Sequence, residues 1–275
     1  MASSPSPSAA RALLVLAAAA LVLSSVSAAA GSPPLAKGLS FDFYSAKCPQ
    51  AEAIVFSFLK DAIRKDVGLA AALLRIHFHD CFVQGCDGSV LLDKTNGVDS
   101  EKVPVLLSFL AKIGLDADDL VALSGAHTLG IAHCGSFEER LFPKEDTTMN
   151  KWFAGHLKLT CPQLKVDNFT ANDIRTPDVF DNKYYLDLLN RQGLFTSDQD
   201  LHTDAGTKPV VTRFAVDQGA FFDQFVRSMV KMGQINVLTG NQGQIRTDCS
   251  LPNAARSAGD ELPWSVVEAV ESFVL

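Results

Sequence analysis

The 275-residue sequence has no long cluster of Lys and Arg, and its formal charge is −7 with a pI near 5.3. A nucleic-acid-binding surface needs a concentrated positive field, so that class of partner has no footprint here. Strand-like alternation of apolar and polar residues is nearly absent, which leaves the helix as the main element. There is no internal repeat, and no low-complexity stretch follows the first thirty residues. Beyond those thirty, no apolar run approaches the length needed to cross a membrane. The acidic loops also lack EF-hand spacing.

What is present starts with a composition that supports a core. Hydrophobic residues make up 47% of the chain and charged residues 20%, a balance that argues for a globular domain and against general disorder. Residues 1–30 stand apart. Arg11 is their only charge, and it precedes the run LLVLAAAALVL and the small residues SSVSAAAG. A positive start, an apolar middle and a small-residue cleavage zone are the marks of a secretory signal peptide, and its removal would leave a chain near −8. Six cysteines (Cys48, Cys81, Cys86, Cys134, Cys161 and Cys249) in an exported chain point to disulfides, and six allow fifteen connectivities, among which spacing alone does not choose. Asn168-Phe169-Thr170 is a glycosylation sequon.

Apolar residues fall at helical spacing in AEAIVFSFLKDAIRKD, VPVLLSFLAKIGL and FFDQFVRSMVKMG. Gly, Pro, Asn and Asp clusters such as VQGCDGS, TNGVDS and LTGNQG separate them. The reading is an α-helical domain followed, after the last cysteine, by a tail that is loop-like and then amphipathic from Pro263.

Three clusters carry chemistry. In RIHFHDCF, Arg75 and His79 are four apart and share one helix face, whereas His77 falls on another. An imidazole that takes a proton beside a guanidinium that stabilises a departing oxygen can cleave a peroxide. In LVALSGAHTLG, small neighbours leave room beside His127 for something flat and bulky; such a histidine needs a hydrogen-bonded partner on its second nitrogen to set its basicity. Two oxygen-rich loops, HDCFVQGCDGS and NDIRTPDVFDN, hold the residue types that hard cations prefer. A zinc site from His77, His79 and a cysteine is disfavoured, because two histidines two apart on a helix do not converge on one ion.

The motifs FYSAKCP, LLRIHFHDCFVQGCDGSVLLD, DLVALSGAHTLG, FDNKYY, GLFTSDQDL and GQIRTDC occur in that order. With them the chain resembles the plant secretory (class III) haem peroxidases over most of its length. The resemblance implies a mainly α plant-peroxidase fold over 31–252, with a leader at 1–30 and an extension at 253–275. It implies haem b held by His127, with Asp198 as that histidine's partner, and Arg75 and His79 as the distal pair with Phe78 over the haem edge. It implies two Ca2+ sites. Asp80, Val83, Gly85, Asp87, Ser89 and, through water, Glu101 would form one; Thr128, Asp173, Thr176, Val179 and Asp181 would form the other. It also implies disulfides Cys81–Cys86 and Cys134–Cys161. The activity would be one-electron oxidation of phenolic donors with H2O2, in a monomer outside the cell or in the vacuole, with a part in the response to oxidative stress.

One departure stands out. Glu101-Lys102 runs straight into Val103-Pro104, where such sequences carry several dozen further residues. With them would go a wall of the pocket, an Asn that accepts a hydrogen bond from the distal His, a Pro at the donor entrance, and the partners of Cys48 and Cys249. Apolar surface should then be exposed. The alternative reading is a calcium-binding remnant without catalysis.

Overall fold

Helical periodicity carries through to the computed structural model, which describes residues 33–83, 85–86, 102–250 and 253. Among these residues nine α-helices carry the chain and one small sheet interrupts them. The expected leader at 1–30 lies outside the described residues, as does the tail extension apart from Asn253.

The first helices, α1 (Ala51–Lys65) and α2 (Gly68–Val83), pack against each other. α1 contains no buried residue, and Ile54, Phe56 and Phe58 are 61%, 67% and 72% exposed. Residues 54 and 58 share one side of the helix and residue 56 lies on the other, so apolar side chains stand without cover on both sides among the described residues. Leu73 and Ile76 of α2 are exposed as well.

From α3 (Val103–Lys112) onward the core is well filled. Pro104 starts α3 where a missing N–H costs nothing, and Val103, Leu106 and Leu110 point inward. The following helix, α4 (Ala117–Ser124), is opened by a reciprocal cap: the Asp116 side chain accepts from the Asp119 amide, and the Asp119 side chain from the Asp116 amide. Next come α5 (Lys151–Thr160), α6 (Lys183–Leu189), α7 (Thr196–Thr203), α8 (Lys208–Val216) and α9 (Gln218–Met232). A core of Val121, Tyr185, Phe214 and Phe221 joins α4, α6, α8 and α9. Buried Asp119 locks α4 to α9 by accepting from Lys231 Nζ at 2.6 Å and Ser228 Oγ at 2.7 Å. A second cluster, built on Phe137, Leu141, Phe153 and Leu157, surrounds the Cys134–Cys161 disulfide.

Between these clusters runs the segment that matters for function. α4 ends at Ser124 and the chain tightens into a 3-10 turn, Gly125–Thr128, before strand β1 (Ile131–His133). β1 pairs antiparallel with β2 (Phe169–Ala171), with Ala132 opposite Thr170. A pairing of three residues is too short to leave an alternating pattern in the sequence.

Candidate active site

Gly125 explains how the turn comes so close to the core: a Cβ there would lie 2.3 Å from the Tyr185 hydroxyl and 2.6 Å from the Phe221 ring. The turn presents His127, whose Nδ1 lies 2.8 Å from Asp198 Oδ1. Asp198 sits in the first turn of α7 and is 2% exposed. Its Oδ2 accepts from the Phe195 amide at 2.9 Å, and its Oδ1 accepts a second time, from the Tyr184 hydroxyl of α6 at 2.8 Å. Burial alone would push this carboxyl up, but the facing imidazole, the Phe195 amide and the Tyr184 hydroxyl outweigh it and hold the group below the ordinary carboxylate range. With Nδ1 engaged, Nε2 is the nitrogen His127 can offer to a metal.

His127 lines a cavity of about 520 Å³, within the range of small-molecule and cofactor sites. Much of its wall is small or apolar, including Gly68, Ala71, Ala126 and Leu129, with Met229 and Met232 from α9. Gly130, at φ +91°, lets the chain pass α2 closely, since a Cβ there would lie 2.9 Å from that of Ala71. Arg75 and Phe78 of α2 line the same cavity.

His79 is not among the lining residues. It lies one turn beyond Arg75, whose Nε–H donates to His79 Nε2 at 3.1 Å. An Nε2 that accepts must carry a lone pair, so the imidazole here is neutral with its proton on Nδ1. Burial and then the Arg75 charge both depress its pKa below the usual 6.5. His77 points elsewhere, toward Gly233 at the end of α9.

The oxygen-rich segment after β2 folds back under the turn that carries His127. Thr128 Oγ1 donates to Asp173 Oδ2 at 3.0 Å and lies 3.3 Å from the Val179 carbonyl. Thr176 Oγ1 donates to Asp181 Oδ1 at 3.1 Å and lies 3.5 Å from Asp173 Oδ2. All five residues expected in this cluster therefore meet, with Thr128 and Asp173 fully buried. Beside them, burial and then the charge of Asp173 push the Asp187 carboxyl up to about 8, against the pull of Arg175, whose Nε is 2.6 Å away.

The other expected cation cluster is described only in part. Asp80 lies in the last turns of α2, and buried Gly85, at φ +113°, packs against Ile235 and Asn236. The Cys86 amide donates to the Ile235 carbonyl at 2.9 Å. Asp87, Ser89 and Glu101 lie outside the described residues, as does the Val83 side chain. Both expected disulfides, Cys81–Cys86 and Cys134–Cys161, are formed; Cys48 and Cys249 are free and exposed. Asn168 is exposed just before β2.

Two site residues carried no signal in the sequence. Tyr184 reads as a core aromatic of FDNKYY. Arg140, 2% exposed, donates through Nη1 to the carbonyls of Gly193, Leu194 and Phe195, which fixes the loop leading into Asp198, while its Nε binds Asp146 at 2.9 Å. Tyr184 meets Asp198 14 positions on, on another helix, and Arg140 meets carbonyls 53 to 55 positions on, so neither contact leaves a local pattern.

A family model described as Peroxidase matches residues 55–103 and 98–217. Cationic peroxidase SPC4 of Sorghum bicolor is 48% identical over 319 residues, covering 86% of this chain and 88% of that protein. Peroxidase 12 of Arabidopsis thaliana is 42% identical, covering 80% of this chain and 84% of its own length. The lignin-forming anionic peroxidase of Nicotiana tabacum is 34% identical, with 78% and 93% covered. The Sorghum alignment spans 319 positions, yet 86% of 275 residues is about 237, so some eighty of its positions meet no residue of this chain. Among the described residues no helix is long and apolar enough to cross a membrane.

Proposed function

The chain belongs to the peroxidase family, with plant class III enzymes as its relatives, and from that membership we propose how its own residues do the work. It is a peroxidase, an oxidoreductase that uses H2O2 to oxidise a donor, and the family's cofactor is haem.

His127 Nε2 would hold the iron of haem b, in the cavity lined by Arg75, Phe78 and His127. The fit rests on the apolar, small-residue lining and on the one imidazole nitrogen left by the bond to Asp198. Haem, when bound, supplies the redox chemistry of the reaction. Asp198 orients the imidazole and raises its basicity. Peroxide would displace Arg75 from His79 Nε2, which then takes the proton of one peroxide oxygen. The freed guanidinium would face the negative charge on the departing oxygen, which would leave as water once His79 returns that proton to it. The observation that carries this reading is the 2.8 Å His127–Asp198 pair on the wall of a cavity also lined by Arg75.

The donors would be small phenols. One Ca2+ would be held by Thr128, Asp173, Thr176, Val179 and Asp181, and a second by Asp80, Val83, Gly85, Asp87, Ser89 and Glu101. Each cluster adjoins one working histidine, since Thr128 follows His127 and Asp80 follows His79, so each ion would steady a catalytic group. The chain would be secreted to the cell wall or carried to the vacuole, as a monomer, and would serve in removing H2O2. It would also lack a segment between Lys102 and Val103; the family match in two pieces that meet at 98–103 supports this, as do the surplus alignment positions. The non-catalytic reading is not favoured, because the relatives are named peroxidases.

The test is to express the chain, add haem, and record the Soret band and the H2O2-dependent oxidation of guaiacol. The account expects both, with turnover lowered on the order of 10²–10⁴-fold in His79→Gln. A Soret band with turnover unaffected by that substitution would remove His79 from the mechanism.

A further inference from the structure

Three donors converge on the buried Asp198, and two of them share one oxygen. Oδ1 accepts from His127 Nδ1–H and from the Tyr184 hydroxyl, each at 2.8 Å, while Oδ2 accepts from the Phe195 amide. Tyr184 is 1% exposed, and its ring stands edge-on to the imidazole with centroids 6.0 Å apart. It does not act as a general core filler: the adjacent Tyr185, equally buried, sends its hydroxyl to the Val121 carbonyl instead. A phenol placed against a buried carboxylate must commit its proton there, because no water competes for it.

We propose that Tyr184 is a positioning residue that sets how strongly Asp198 acts on His127, by competing with the imidazole for the same carboxylate oxygen. This rests on the reading of His127 as the iron ligand. A lone carboxylate oxygen facing one N–H draws its proton and leaves the ring close to imidazolate. A second donor on that oxygen withdraws charge from it and weakens the pull. Tyr184 therefore makes His127 a weaker donor of electrons to the metal than the His–Asp pair alone would be. The hydroxyl remains a donor throughout the working pH range, since burial and then the Asp198 charge push its pKa well above the ordinary value.

The test compares haem-loaded full chain, Tyr184→Phe and Tyr185→Phe by the ferric/ferrous reduction potential and the iron–imidazole stretching frequency. Tyr184→Phe should favour the ferric form on the order of tenfold, a downward shift of about 59 mV for one electron, and should raise the stretching frequency. Tyr185→Phe removes a buried hydroxyl of the same kind and should leave both unchanged. Should Tyr184→Phe fail to fold, 3-fluorotyrosine introduced at position 184 keeps the packing and strengthens the donor, and should move the potential upward. Equal potentials across these proteins, or equal shifts in the two Phe variants, overturn the inference alone. A full chain that takes up no haem overturns the function reading and this inference with it.

Discussion

At the scale of single residues, the site is an arrangement of charges chosen by burial. His79 accepts a hydrogen bond from Arg75, and both desolvation and that cation depress its pKa. The neutral imidazole therefore persists below pH 6.5, and only a neutral imidazole can act as the base. The acid limb of kcat/KM should have its midpoint below 6.5, and a steady-state pH series checks this; a midpoint above 6.5 would mean the base is another group. The same shift has a sign for folding. As pH falls the unfolded chain takes up the proton first, so this contribution to stability is present above pH 6.5 and lost as pH drops through the folded value. The iron-ligand candidate and the distal pair were suggested by spacing but legible only through motifs shared with a known family, and Asp198 was legible through that resemblance alone. Tyr184 and Arg140 were not legible. Their partners, Asp198 on the following helix and the 193–195 carbonyls, are reached only once α6 has packed on α7 and the Arg140 turn has met the 193–195 loop.

At the scale of elements, the 3-10 turn Gly125–Thr128 is held from two sides, by Asp198 on α7 and by the Asp173–Asp181 segment. Two carboxylates, two hydroxyls and a carbonyl around Thr128 and Thr176 form an oxygen set suited to a hard cation. Millimolar Ca2+ should raise the melting temperature of the full chain, by an amount worth about 2.7 kcal/mol at a hundredfold excess over Kd, and Asp181→Asn should abolish most of the gain. Differential scanning fluorimetry reads both; an unchanged melting temperature in wild type would remove the ion from this cluster. Helix existence was legible for α1, α3 and α9, where periodicity is strong. The β1–β2 pair was missed because its register depends on the approach of residues 131 and 171 in space, not on a pattern within either segment.

At the scale of the folded unit, the described residues divide unevenly. From α3 onward, polar groups and aromatics interlock around two cores, whereas α1 has no buried residue and leaves Ile54, Phe56 and Phe58 largely exposed. The resemblance led us to expect exposed apolar surface at a pocket wall missing between Lys102 and Val103, whereas the exposed side chains of α1 lie outside the lining of the cavity. A hydrophobic dye such as ANS should bind the purified chain well above the level for an intact relative, and Phe56→Asp with Phe58→Asp should lower that signal; no excess binding would mean these side chains are covered. The account as a whole depends on His127 as the ligand of a single haem. The most direct measurement is a haem titration of the full chain and of His127→Ala, followed at the Soret band. One haem per chain, with a five-coordinate histidine-ligated spectrum that is lost in His127→Ala, is the predicted result. The same spectrum and stoichiometry in both proteins would contradict it.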